Sequence, residues 1–129
     1  MIKKAAKQYS SMVNNHTQYG LEESDIRDIV SVLKENSKVQ QIILFGSRAK
    51  NIHENGSDID IALKGNGLST NDIISLSVEL DELDLPYKID LVIFECIEEK
   101  ALKQHIDRVG VLLYNRQSSY SQSGEDTTK

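Results

Sequence analysis

Two aspartates, Asp58 and Asp60, stand one residue apart in the stretch Ser57-Asp58-Ile59-Asp60-Ile61-Ala62-Leu63. Its alternation predicts a strand, and side chains two residues apart on a strand share a face. Adjacent carboxylates repel unless something positive lies between them. Hard oxygen donors of this kind suit a divalent cation, Mg2+ or Mn2+. Upstream, the apolar run Ile42-Ile43-Leu44-Phe45 ends at Gly46-Ser47-Arg48, with ten residues between Ser47 and Asp58. Glycine lets the chain bend and approach a ligand closely, and amides following such a turn can hold phosphate oxygens. Ser47 adds a hydroxyl, and Arg48 is a candidate for charge-assisted bonds to the same phosphates. A third acid, Asp90, interrupts the apolar segment 87–94. Cations bridging nucleotide phosphates beside an attacking hydroxyl are the chemistry such a set can do.

These residues need a frame to hold them. Ile26, Ile29, Val30 and Leu33 recur at helical spacing, with Glu22, Glu23 and Asp25 crowding the start, so 22–36 reads as an amphipathic helix. A buried strand over 39–45 then runs into the Gly46 turn and a short helix-forming stretch at 48–50. A polar loop, 51–56, leads to the second strand, 57–63, and so short a connection predicts antiparallel neighbours. Ser69 and Asp72 have capping-box spacing and open a second helix, which Leu85-Pro86 ends. In the third strand, 87–94, Asp90 shares a face with Lys88, Val92 and Phe94. Where that strand lies beside the second, the three carboxylates meet. A third helix over 98–107 and an edge strand over 111–114 complete an α/β (α+β) fold, a small mixed sheet of three to four strands packed by helices. Residues 1–20 read as an arm or accessory helix, 21–116 as one domain, and 117–129 as a polar, disordered tail.

The 129-residue chain carries a net charge of −5, unevenly spread: residues 1–20 hold three lysines and no acid, leaving −8 on the rest. That balance argues against a protein that tracks nucleic acid for affinity, so no stable nucleic-acid binding is expected. The apolar runs are too short to span a membrane. The first residues lack the apolar core of a signal peptide, and the single cysteine, Cys96, cannot form an internal disulfide. A cytoplasmic protein is the expectation. His16, His53 and His105 show no metal-ligand spacing.

Gly46-Ser47, ten residues, then Asp58-x-Asp60 resembles the nucleotidyltransferase signature of the DNA polymerase beta superfamily. The wording GSRA…SDIDI is similar to its minimal nucleotidyltransferase (MNT) branch, and Leu85-Pro86-Tyr87-Lys88-Ile89-Asp90 to that branch's strand with the third acid. The resemblance runs from about residue 21 to 114. It implies a polymerase beta-like catalytic core in which Gly46 and Ser47, with Arg48, hold the triphosphate of ATP. It implies metal binding by Asp58, Asp60 and Asp90, the last also helping to deprotonate the acceptor hydroxyl. Asn51 stands where the family often has glycine. Short MNT proteins resemble antitoxins that pair with a HEPN-domain ribonuclease toxin and transfer AMP to one of its tyrosines. The expectation is therefore a protein adenylyltransferase in a hetero-oligomer with such a partner. The alternatives are transfer to a small hydroxylated acceptor such as an aminoglycoside, and a non-catalytic antitoxin that acts by binding.

Overall fold

A computed structural model describes residues 17–50 and 57–116. The segments 1–16, 51–56 (with Asn51 and His53) and 117–129 lie outside the described residues. The first elements are β1, Thr17–Gln18, and β2, Leu21–Glu22, paired antiparallel. Between them Tyr19 and Gly20 both have positive φ, 58° and 74°. That is the backbone of a two-residue hairpin turn whose twist matches its strands. Residues 17–22 are thus a hairpin, so 17–20, read from the sequence as the end of an arm or accessory helix, are extended and turned rather than helical. Leu21, 2 % exposed, pins the hairpin to the core.

Helix α1, Glu23–Leu33, follows and buries Ile29 and Leu33. Then come β3, Gln41–Phe45; β4, Ile59–Lys64; α2, Thr70–Asp81; and β5, Ile89–Ile93. A 3-10 turn, Phe94–Cys96, leads to α3, Lys100–Val109, and to β6, Val111–Asn115. The sheet order is β5-β4-β3-β6. β3 runs antiparallel to β4 and to β6, and β4 runs parallel to β5. The parallel pair exists because α2 carries the chain back across the sheet between the two strands. The sheet is the mixed, helix-packed one expected from the sequence. No helix among the described residues is long and apolar enough to cross a membrane.

Alternation sorts each strand between two faces. Ile42, Leu44, Ile59, Ile61 and Leu63 pack with Ile29, Leu33, Leu76 and Leu80, so α1 and α2 cover one face. Each such side chain, fully buried, contributes roughly 1.5–3 kcal/mol. On the other face Ile43, Ala62 and Ile106 form a small cluster beneath α3, flanked by Phe45, Val92 and Phe94. Burial on both faces explains why β3 reads as an unbroken apolar run rather than an alternating one.

The start of α2 ties the two helices of the main face together. Asp72 Oδ2 accepts from the Ser69 amide at 2.9 Å, and the Ser69 hydroxyl accepts from the Asp72 amide at 3.4 Å. Asp72 also accepts from Lys38 Nζ at 2.9 Å and from Asn36 Nδ2 at 3.1 Å, reaching the α1–β3 connection. Ser69→Ala is expected to lower stability by about 1 kcal/mol, read as a shifted urea midpoint. The Lys38 ammonium first, then the Ser69 amide, hold the Asp72 carboxyl well below the ordinary carboxylate range. A carboxyl with a depressed folded pKa stabilises above its unfolded value, and that contribution is lost as pH falls through the folded one. The acid limb of the stability–pH curve, below about pH 4, should therefore flatten in Asp72→Asn. An unchanged acid limb would count against this brace.

Candidate active site

The strand register builds the site. Phe45 is paired with Asp60 across β3 and β4, and Asp60 with Asp90 across β4 and β5. Strand alternation sends Ile59 and Ile61 into the main core. Asp60 and Asp90 therefore stand next to each other on the α3 side of the sheet, one row beyond Ala62 and Val92. Asp58 is exposed one residue before β4 begins. The Ile59 amide donates to the Lys88 carbonyl at 2.9 Å and carries the β4–β5 pairing to this end of the sheet. Burial pushes the Asp60 carboxyl pKa up, and the charges of Asp90 and Asp58 push it further. Asp60 thus feels both of the other acids.

The turn after β3 presses against the same carboxylate. Gly46 has φ +82°, and a Cβ built there would run into Asp60 Oδ2 and lie 3.2 Å from its Cγ. Only glycine satisfies both the backbone angle and the close approach. The Lys50 amide donates to the carbonyls of Gly46 and Ser47 at 3.3 and 3.2 Å, so 46–50 is one tight turn rather than a helix. Gly46, Ser47, Asp58, Asp60 and Asp90 thus gather at one end of the sheet. Lys88 joins them: its Nζ lies 3.8 Å from Asp90 Oδ1, an exposed pair that salt and solvent screen. The one signal for Lys88 in the sequence was its place two residues before Asp90.

Arg48, by sequence a candidate phosphate ligand, has its guanidinium engaged by the protein's own carbonyls. It is 2 % exposed, and its guanidinium points inward. Nε and Nη2 donate to the Ser57 carbonyl at 3.1 and 2.9 Å, and Nη1 donates to the Tyr19 carbonyl at 2.9 Å. The ring of Tyr87 lies 5.0 Å from its Cζ. With those N–H groups engaged, Arg48 is a brace behind the site. A cleft of about 140 Å3 lined by Ser77, Leu80, Asp81, Asp84, Leu85, Tyr87 and Ile89 also lies away from the acids, on the α2 side of the sheet.

Among the described residues no three His, Cys, Asp or Glu side chains close into a ready-made metal cage. An open set of carboxylates fits Mg2+ better than a cage does, since that ion is usually held by one or two carboxylates and completed by substrate phosphates. The mutual repulsion at Asp60 is what such a cation would relieve. Donor chemistry and charge both suit a hard divalent ion.

Known proteins share this arrangement of strands. Residues 27–119 match the family described as Polymerase beta, Nucleotidyltransferase. A protein of Methanocaldococcus jannaschii, named for an inferred protein adenylyltransferase activity, is 37 % identical over a 90-residue alignment that covers 65 % of this chain and 90 % of that one. Among solved structures, a toxin–antitoxin assembly with AMP-PNP superposes with a TM-score of 0.61 at 30 % identity, covering 73 % of this chain and 76 % of that one. The tri-AMPylated Shewanella oneidensis HEPN toxin in complex with its MNT antitoxin gives a TM-score of 0.57 at 27 % identity, covering 82 % of each chain. With the acid pair in register beside a glycine turn that admits no side chain, and most of its length matched, this chain belongs to the Polymerase beta nucleotidyltransferase family.

Proposed function

We propose that this enzyme transfers AMP from ATP to a tyrosine hydroxyl of a HEPN-type partner and silences it as an antitoxin. The observation that carries the reading is the in-register Asp60–Asp90 pair against the Gly46 turn. Two solved relatives give the reading its substrate and acceptor: one assembly contains an ATP analogue, and one contains a HEPN toxin already bearing AMP.

In this reading the backbone of Gly46 and Ser47 holds the triphosphate, because the turn brings the chain close without a side chain in the way. Asp58, Asp60 and Asp90 would hold Mg2+, which when bound supplies positive charge to the phosphate oxygens. Asp90, the outermost of the row, accepts the proton of the tyrosine hydroxyl. The phenolic oxygen then forms a bond to the α-phosphorus, the bond to the bridging oxygen breaks, and pyrophosphate leaves. Cys96 is free and exposed, in keeping with a cytoplasmic site of action, where ATP and a reducing poise are at hand.

The test is a reconstitution of the full chain with ATP, MgCl2 and a HEPN-domain protein from the same genome, read by intact mass and tandem mass spectrometry. The expected result is AMP-sized increments on a partner tyrosine that vanish with EDTA. An unmodified partner that is nonetheless neutralised would overturn the enzymatic reading in favour of inhibition by binding.

A further inference from the structure

We propose that Arg48 is a positioning residue: it sets the spacing of Asp58 and Asp90 before any cation arrives. The inference rests on the reading of these acids as a metal site. A buried guanidinium is costly unless its N–H groups are bonded, and here Arg48 spends its donors on two carbonyls from distant parts of the chain. Two of them converge on the Ser57 carbonyl. That carbonyl belongs to the planar peptide joining Ser57 to Asp58, so holding it restricts the direction in which Asp58 leaves the chain. The face of Arg48 lies by the Tyr87 ring, three residues before Asp90 and two before β5. The remaining bond, to the Tyr19 carbonyl, anchors the group on the β1–β2 hairpin.

One side chain therefore joins the turn after β3, the start of β4 and the approach to β5. It also ties Ser57, next to Asp58, back to the turn that carries Arg48 itself. Three carboxylates that repel one another would otherwise relax apart, and a fork with a flat face resists this as an ammonium cannot. Groups behind metal ligands commonly change affinity about 10–100-fold when removed.

The experiment uses Mn2+ alone as probe, titrated by electron paramagnetic resonance against the full chain and its Arg48→Lys and Tyr87→Leu variants. Amide hydrogen exchange is followed in parallel at 58–60, with β3 as internal reference. AMP-PNP affinity is measured in EDTA. Arg48→Lys is expected to weaken Mn2+ binding about tenfold and to speed exchange at 58–60 while β3 stays protected and metal-free nucleotide affinity holds. Tyr87→Leu, which keeps the hydrogen bonds, should move the same readouts less far, and it decides the matter if Arg48→Lys does not fold. Unchanged Mn2+ affinity in both variants overturns the proposal. So does a fall in AMP-PNP affinity with Mn2+ binding intact, since that would make Arg48 a phosphate ligand. Should the wild-type chain bind no Mn2+, the metal-site reading fails on its own. Exchange at 58–60 against β3 then decides whether Arg48 positions that segment, and equal exchange in variant and wild type overturns it.

Discussion

Asp60→Asn is expected to cut nucleotidyl transfer by about a thousandfold while leaving the protein as stable as before, or more so. The two effects have one cause. Asp60 is the acid on which burial and the charges of Asp90 and Asp58 converge, and its carboxyl pKa is raised accordingly. A raised folded pKa means that the folded chain holds its proton to higher pH than the unfolded one. Stability falls as pH climbs from the unfolded value through the folded one, and above that window the ionised group is a standing cost. Asparagine keeps the size and removes the charge. At neutral pH the variant should melt no lower than wild type, and its stability should no longer fall across that window.

A cation works in the opposite direction. Mg2+ that binds only the folded chain raises the melting midpoint in proportion to the logarithm of its concentration over its dissociation constant. Wild type should show that rise and Asp60→Asn should not. Calorimetry with and without Mg2+, beside a transfer assay, checks all three statements. A variant that transfers at the wild-type rate would remove Asp60 from the chemistry.

Gly46→Ala has the second largest expected effect, and it separates backbone cost from site damage. At φ +82° a side chain strains the backbone, worth about 1–2 kcal/mol. The new methyl would also displace the Asp60 carboxylate, and misplacement by about 1 Å can cost about a hundredfold in rate. Gly67 supplies the control. Its φ is +84°, but the nearest atom to a Cβ there is Lys38 Cδ at 3.8 Å. It also sits past the far end of β4 from Asp60. Gly67→Ala should lose similar stability in urea and keep its activity, whereas Gly46→Ala should lose both. Equal activity in the two variants would mean that the close approach at Gly46 does not matter.

Much of this site is written locally. Apolar spacing marks the helices, and the short polar connection between the first two strands makes them antiparallel neighbours. The period of two puts Asp60 on the face opposite Ile59 and Ile61, and the Ser69–Asp72 spacing is the capping box that opens α2. In each case the residues that decide are within a few positions of one another, so their types and order carry the information. The boundaries were less exact: α1 ends at Leu33, short of residue 36, because Lys34 and the residues after it turn toward β3.

Other features were decided by contacts between distant segments. Asp60 meets Asp90 because α2 returns β5 parallel to β4 in that register, which neither strand specifies alone. The Tyr19-Gly20 hairpin forms where Leu21 finds the core and the Tyr19 carbonyl finds Arg48, 29 residues away. Arg48 shows the difference most plainly. Its place after Gly46-Ser47 suggested a phosphate ligand, yet a long side chain can turn to either side of a tight turn. The fold offered the Ser57 and Tyr19 carbonyls and the Tyr87 ring on the inner side. The sequence by itself singled out the acids and the turn that the fold then brings to one end of the sheet. The tertiary structure alone determined how they are held, because register and side-chain direction follow from which surfaces bury each other.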